Sequence, residues 1–268
     1  KCKECWGASL SWSQVSPENL RKLENYLDQK KKNSVNTRRK EISRVRRLVR
    51  MAIRKGDVPI SKDPFLIYQL PKGQKVERRK LSLEEIKKLE EVSLDSFASL
   101  ARDAFLLSFY GAGIRFGDLC LLKSNNVKDG RLLYRAAKTK KLISIPLPLQ
   151  ATKILQRYSV HDMSEDYIIP LMAGLDVSTE TNLKARISSR NAQVNTYLKR
   201  IAKKAGLDSE GLSMHVARHS YADYARRSSG NIHAIMQALG HSDIRVTQTY
   251  LKSFDSDAVD EMTRTMWE

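Results

Sequence analysis

Cysteine is scarce in this chain, with three in 268 residues. That is too few for a disulfide framework, so the small secreted scaffolds are excluded. Cys2 and Cys5 form a single C-x-x-C with no second pair, which is poor material for a structural zinc site, and they read as incidental. No segment has the pattern of a signal peptide, and no apolar run reaches membrane-spanning length. The expected setting is therefore a reducing, cytoplasmic one, away from a membrane. Internal repeats and low-complexity tracts are missing as well. The chain begins with Lys1 rather than Met, which leaves room for further sequence upstream.

Acidic residues are also short, at 30 Asp and Glu against 48 Lys and Arg, a net charge of +18. The imbalance sits at one end. Residues 1–80 hold 22 basic and 8 acidic side chains, whereas residues 81–268 carry a net of only +4. A basic first third beside a nearly balanced remainder suggests two modules, one holding a polyanion by charge and one carrying chemistry. With 41% apolar residues, both can be packed.

Ser16-Pro17-Glu18 is a helix start, Ser as cap and Pro in the first turn, followed by Leu20, Leu23 and Leu27 at helical spacing. A second helix is expected from after Ser34 to Lys55, with Ile42, Val45, Val49 and Ile53 as its apolar stripe and Gly56 as its end. Its other faces carry Arg38, Arg39, Lys40, Arg44, Arg46, Arg47, Arg50 and Arg54, with Glu41 as the one acid among them. Like charges at this density repel unless an anion neutralises them, which points to phosphate contact more than to a merely solvated face. Residues 57–80, with three prolines, Gly73 and the basic residues Lys72, Lys75, Arg78, Arg79 and Lys80, read as an exposed connection, and Lys72, Lys75, Arg78 and Arg79 join the helix cations as candidate contacts to the same polyanion. A capping box at Ser82-Leu83-Glu84-Glu85 then opens a new helix. Domains are expected at 1–76 and 77–268.

The second part reads as helical over 97–123, with a break at Gly111-Ala112-Gly113. It turns to alternating strands over 131–147 around Lys138-Thr139-Lys140-Lys141. Helices are expected again at 149–158, 190–205, 215–228, 231–239 and 243–253. The fold class is thus mainly α with a small antiparallel β-sheet in the second domain.

Two chemical motifs stand in the last third, His215-Val216-Ala217-Arg218-His219 and Leu239-Gly240-His241, and Tyr250 follows nine residues after His241. Residues three apart share a helix face, so His215 and Arg218 can reach one phosphate together. Arginine suits a phosphate because its fork donates two parallel hydrogen bonds and stays charged. The spacings 3, 23 and 9 among His215, Arg218, His241 and Tyr250 resemble those of the tyrosine recombinase (phage integrase) family. Gly111-Ala112-Gly113-Ile114-Arg115-Phe116-Gly117-Asp118 resembles that family's first signature. Lys138, eight residues before Pro146, stands in the register of its hairpin lysine, with Lys140 and Lys141 as alternatives.

The resemblance implies a two-domain architecture, a helical core-binding domain and a catalytic domain, and an enzyme that breaks and rejoins DNA without metal or cofactor. Arg115, His215, Arg218 and His241 would bind the phosphate and assist proton movement, Lys138 would be the acid, Tyr250 the nucleophile, and Asp118 would orient arginine side chains. His219 reads as structural. It also implies double-stranded DNA as partner, four protomers on two duplexes, DNA-bending accessory proteins in some systems, and a prokaryotic or phage-infected cell. A further arm-binding domain is not recognisable here. The tail, with Val259, Met262 and Met266 at helical spacing, would dock on its own or a neighbouring protomer. Two other readings remain: a type IB topoisomerase-like relaxing enzyme, and a catalytically silent DNA-binding protein of the same fold.

Overall fold

Ser16 accepts a hydrogen bond from the Asn19 amide (3.1 Å) and so opens the helix its sequence announces. In this computed structural model, residues 2–7, 11–74, 76, 78–159, 167–229 and 231–251 are described, without the side chains of Lys3, Ser159, Val246, Thr249, Tyr250 and Leu251. The chain divides into two compact units, Lys1–Val76 and Glu77–Glu268.

The first unit is built on α1 (Cys2–Trp6), α2 (Pro17–Asn25), which runs on through a wider turn at Tyr26–Lys30, and α3 (Val35–Lys55). Leu20, Leu23 and Leu27 meet Ile42, Val45 and Val49 in one apolar core, because each set recurs at three- and four-residue steps and forms a single stripe. Ser34 caps α3 and Gly56 ends it at φ 84°, a left-handed conformation open to glycine. Trp6 Nε1 donates to Asn19 O (3.0 Å), which fastens α1 to α2.

The segment after α3 departs from the expected open connection. Tyr68 is buried in this core, its hydroxyl donates to Glu24, and Phe65 packs edge-on against it. Proline-rich composition hides these contacts, since two short 3-10 turns supply the local structure in place of a periodic pattern. Gln74 pairs through both backbone groups with the Asn36 side chain (2.8 and 2.9 Å), which lays the rest of the segment along α3.

The second unit opens with α4 (Leu83–Glu91), where Ser82 and Glu85 complete the reciprocal capping box. α5 (Ser96–Tyr110) is buried on nearly every face, and apolar residues accordingly recur on all sides of it. Its two interior charges are satisfied within the unit. Asp103 accepts from Arg102, Arg157 and Tyr158, and Arg102 also donates to the Val92 carbonyl (2.8 Å). After α6 (Phe116–Leu119) come β1 (Val127–Lys128), β2 (Arg131–Arg135) and β3 (Leu142–Pro146), an antiparallel sheet in the order β1-β2-β3. Leu132 and Tyr134 pair with Ile145 and Ile143 on the inward face.

α7 (Leu149–Ser159), α8 (Glu180–Lys204), α9 (Met214–Ser229), α10 (Ile232–Ala238) and α11 (Ile244–Leu251) complete the described fold. α8 begins ten residues before the expected start. Thr179 caps it, but its first turns are solvated and carry only Leu183 and Ile187 toward the core, so no apolar period marks them. α7, α8 and α9 all pack on α5. No described helix is long and apolar enough to cross a membrane. The tail residues Val259, Met262 and Met266 lie outside the described residues.

Candidate active site

Arg218 organises the site. It is 4% exposed, and its fork donates to the carbonyls of Gly113 (2.6 Å) and Leu239 (2.5 Å), with Nη2 also 3.0 Å from His241 Nε2. One guanidinium thus links the turn after α5, its own helix α9, and the end of α10. Gly113 makes this possible. It stands at φ 75°, and a Cβ there would meet Arg218 Cγ at 3.0 Å. Gly240 has the same duty toward the sheet, where a Cβ would meet Ile143 Cδ1 at 2.8 Å.

Arg115 caps the short helix α6, and it lines a cavity of about 90 Å³ with His215, Arg218, Asn191 and Asn195. Asn195 accepts from the Met214 amide (2.8 Å), which fixes the first turn of α9 and the side chain His215 that it presents. His215 stands at the exposed head of α9. Partial loss of water, then the charges of Arg218, Arg115, Arg78 and Lys138, lower its pKa. Burial first and then Arg218, Arg115, Lys138 and Lys141 bring His241 down to about 4. His219 packs edge-on against His215 and is lowered to about 3, chiefly by burial. These imidazoles are neutral at pH 7, and the fixed cations around them create a strongly positive site for an anion.

The three lysines of the hairpin separate cleanly. Lys141 Nζ donates to the His241 carbonyl (2.6 Å) and so pins the hairpin to the site. Lys140 stands at φ 58° and its charge acts on Glu180 at the start of α8. Lys138 is exposed, and its charge is felt by both His215 and His241. Asp118 is 6% exposed, and its Oδ1 accepts from the Ala137 amide (2.8 Å), the neighbour of Lys138. Its Oδ2 lies 4.0 Å from Arg115 Nη1, so Asp118 holds the hairpin turn more directly than it orients an arginine.

Tyr250 lies in α11, the helix that follows His241. Thr247 of the same helix is fully buried, and its Oγ1 sits 2.9 Å from His241 Nδ1. Reasoning from sequence missed Thr247, and it weighed Lys141 only as an alternative to Lys138, not as the tie to His241. Each acts through a contact that only folding creates.

The basic residues of the first unit also divide. Arg39, Lys40, Arg44, Arg47, Arg50 and Arg54 are exposed along α3. Arg38 is engaged by Asp28 and Arg46 lies over the Phe65 ring. Lys72 is exposed, and Lys75 lies outside the described residues. In the second unit, Arg78 is close enough to lower His215 and His219, while Arg79 donates to Asp208 and to the Glu210 carbonyl. Cys2 and Cys5 are half-buried free thiols. Among the described residues no three His, Cys, Asp or Glu side chains converge as a metal site would require.

Arg115, His215 and Arg218 line one small cavity, Arg218 reaches on to His241, and the charge of Lys138 is felt by both histidines, a cluster of cations suited to an anion on a mainly helical two-unit chain. The Phage integrase family model matches residues 79–257, and a Phage integrase SAM-like domain model matches residues 2–70. The chain belongs to the phage integrase family. It is 28% identical over 194 residues to tyrosine recombinase XerC of Xanthomonas axonopodis pv. citri, covering 71% of this chain and 59% of that protein. It is 33% identical over 196 residues to tyrosine recombinase XerA of Thermococcus kodakarensis, covering 71% and 61%. The chain thus spans about three fifths of the length of these curated relatives. Among solved structures, a XerH site-specific recombinase bound to a palindromic difH substrate is similar at TM-score 0.68 and 17% identity, over 99% of this chain and 76% of that one. A lambda integrase tetramer bound to a Holliday junction is similar at TM-score 0.65 and 21% identity, over 91% and 66%. These two show a shared fold.

Proposed function

We propose that this chain is a site-specific DNA recombinase that cuts and rejoins strands through a covalent bond at Tyr250. The observation that carries the reading is the meeting of Arg218 and His241, with Arg115, His215 and the charge of Lys138 close by, at the root of the helix bearing that tyrosine. Fixed cations around the non-bridging oxygens stabilise the charge of phosphoryl transfer, where positioning and electrostatics do most of the work.

In this reading the Tyr250 oxygen bonds to phosphorus and the bond from phosphorus to the 5′ oxygen breaks. The departing oxygen takes a proton from Lys138 and leaves as a 5′-hydroxyl, and the phenolic proton passes to solvent with help from the surrounding cations. The 3′-phosphotyrosyl bond conserves the energy, so a 5′-hydroxyl from a partner strand can reverse the step. The related lambda integrase is a tetramer on a Holliday junction, and four protomers of this chain on two duplexes would exchange strands through the same kind of junction. The exposed cations of α3 would hold the duplex by charge, and DNA-bending accessory proteins and a cytoplasmic location belong to the same picture.

The test is a nicked suicide duplex, carrying a core site selected by binding from a random-sequence pool, analysed on a denaturing gel. A covalent adduct lost in Tyr250→Phe is expected. Binding without an adduct would favour a silent DNA-binding protein instead. Joining to a second duplex separates recombination from relaxation.

A further inference from the structure

His241 has both ring nitrogens in contact, and the two contacts differ in kind. On one side Nε2 lies 3.0 Å from Arg218 Nη2. A guanidinium can only donate, so Nε2 is the acceptor in this state. On the other side Nδ1 lies 2.9 Å from the Thr247 hydroxyl, itself fully buried and held on α11. A neutral imidazole carries one N–H, so here that proton is on Nδ1 and points at Thr247 Oγ1. The arrangement is wrong for binding a phosphate oxygen through Nε2, which then needs a hydrogen to give.

A carboxylate or a carbonyl at Nδ1 would fix the proton there, because those groups can only accept. A hydroxyl accepts or donates equally well by rotation about its C–O bond. We propose that Thr247 is the positioning residue of His241, and that its two-way hydroxyl lets the imidazole carry its proton on Nδ1 in the free protein and on Nε2 when a DNA phosphate displaces the Arg218 contact. The proton count does not change: one proton leaves Nδ1, one arrives at Nε2 by exchange with water, and the Thr247 hydroxyl turns from acceptor to donor. The ring stays neutral in both states. The groups facing it agree with that, since Arg218 from α9, Arg115 from the head of α6, and Lys138 and Lys141 from the hairpin are all cationic. Adding a second proton would place another positive charge among them.

The same bond joins two pieces of the machinery. Thr247 stands three residues before Tyr250 in α11. Holding His241 therefore also holds the register of the helix that bears the nucleophile. The inference rests on the recombinase reading for its catalytic consequence, but not for the contact itself.

Two measurements test it. The first needs no DNA: long-range proton–nitrogen correlation spectra of histidine-labelled protein, with His241 assigned through His241→Asn. The wild type is expected to show a protonated Nδ1 and an unprotonated Nε2, and Thr247→Val to show a mixed or reversed ring. An Nε2-protonated ring in the free wild type would overturn the proposal. The second is single-turnover cleavage of the selected suicide duplex across pH. Thr247→Val, which keeps the shape, is expected to slow cleavage about tenfold or more without weakening DNA binding. Thr247→Ser is expected to restore the rate to within about threefold. Wild-type rates in Thr247→Val, or equal loss in Val and Ser, would contradict a hydrogen-bonding role. If the wild type forms no adduct at all, the recombinase reading fails, and the ring spectra still decide the Thr247 contact.

Discussion

Arg218 is both a structural tie and a candidate phosphate ligand, so its substitutions should cost twice. Arg218→Lys keeps the charge but cannot reach Gly113 O, Leu239 O and His241 Nε2 together. We expect a loss of cleavage of about 100-fold or more, with a fall in stability of about 1–3 kcal/mol from the buried carbonyls left without a donor. Suicide-duplex kinetics and denaturant unfolding would measure the two losses separately. The histidines predict a pH dependence of stability. His241 and His219 are held at about 4 and about 3, below the ordinary value of 6.5. Between about pH 4 and 6.5 the unfolded chain binds protons that the folded chain refuses, so stability rises with pH across that window and is lost as pH falls. Melting temperatures should drop from pH 7 to 4, and His219→Asn should flatten that slope. His215, Arg218 and His241 were singled out in the sequence because their spacings of 3 and 23 resemble a family signature, and the fold brings Arg218 to His241. Thr247 was not, because a threonine in an amphipathic helix reads as packing until the fold brings His241 Nδ1 to it.

The hairpin between β2 and β3 is an arm held at two points, by Asp118 to the Ala137 amide and by Lys141 to the His241 carbonyl. Both ties fix the turn that carries Lys138. Lys138→Ala should slow cleavage by about 100-fold or more, whereas Lys140→Ala should leave it within about threefold. A duplex whose leaving oxygen is replaced by sulfur needs no acid, so it should restore the rate of Lys138→Ala. Failure of that rescue would move the acid elsewhere. Asp118→Ala should behave as a weaker copy of Lys138→Ala, rescued by the same duplex, because it frees the turn and leaves the lysine present. The alternating residues of β2 and β3 made this element visible in advance. The first ten residues of α8 were hidden for the opposite reason, since a helix half that faces water needs no apolar period.

The two compact units differ in charge, the first carrying most of the basic excess. In the first, α3 presents Arg39, Lys40, Arg44, Arg47, Arg50 and Arg54 to solvent, while Arg38 and Arg46 are engaged by Asp28 and Phe65. The sequence showed a basic helix but not which arginines it keeps for itself, because Asp28 and Phe65 come from other segments. Replacing Lys40, Arg47 and Arg50 with Gln should weaken duplex binding on all sequences. It should also reduce the slope of log affinity against log salt by roughly 0.9 for each phosphate that the protein no longer neutralises. The same change at Arg38 and Arg46 should act on melting temperature more than on the salt slope. All of these outcomes presuppose that the phosphate is handed to Tyr250. The most direct measurement traps the wild-type protein on a nicked suicide duplex, digests it with trypsin and nuclease, and weighs the peptides. The account predicts a nucleotide on Tyr250 within the peptide from Val246 to Lys252. A nucleotide on any other residue, or strand cleavage with no modified peptide, would contradict it.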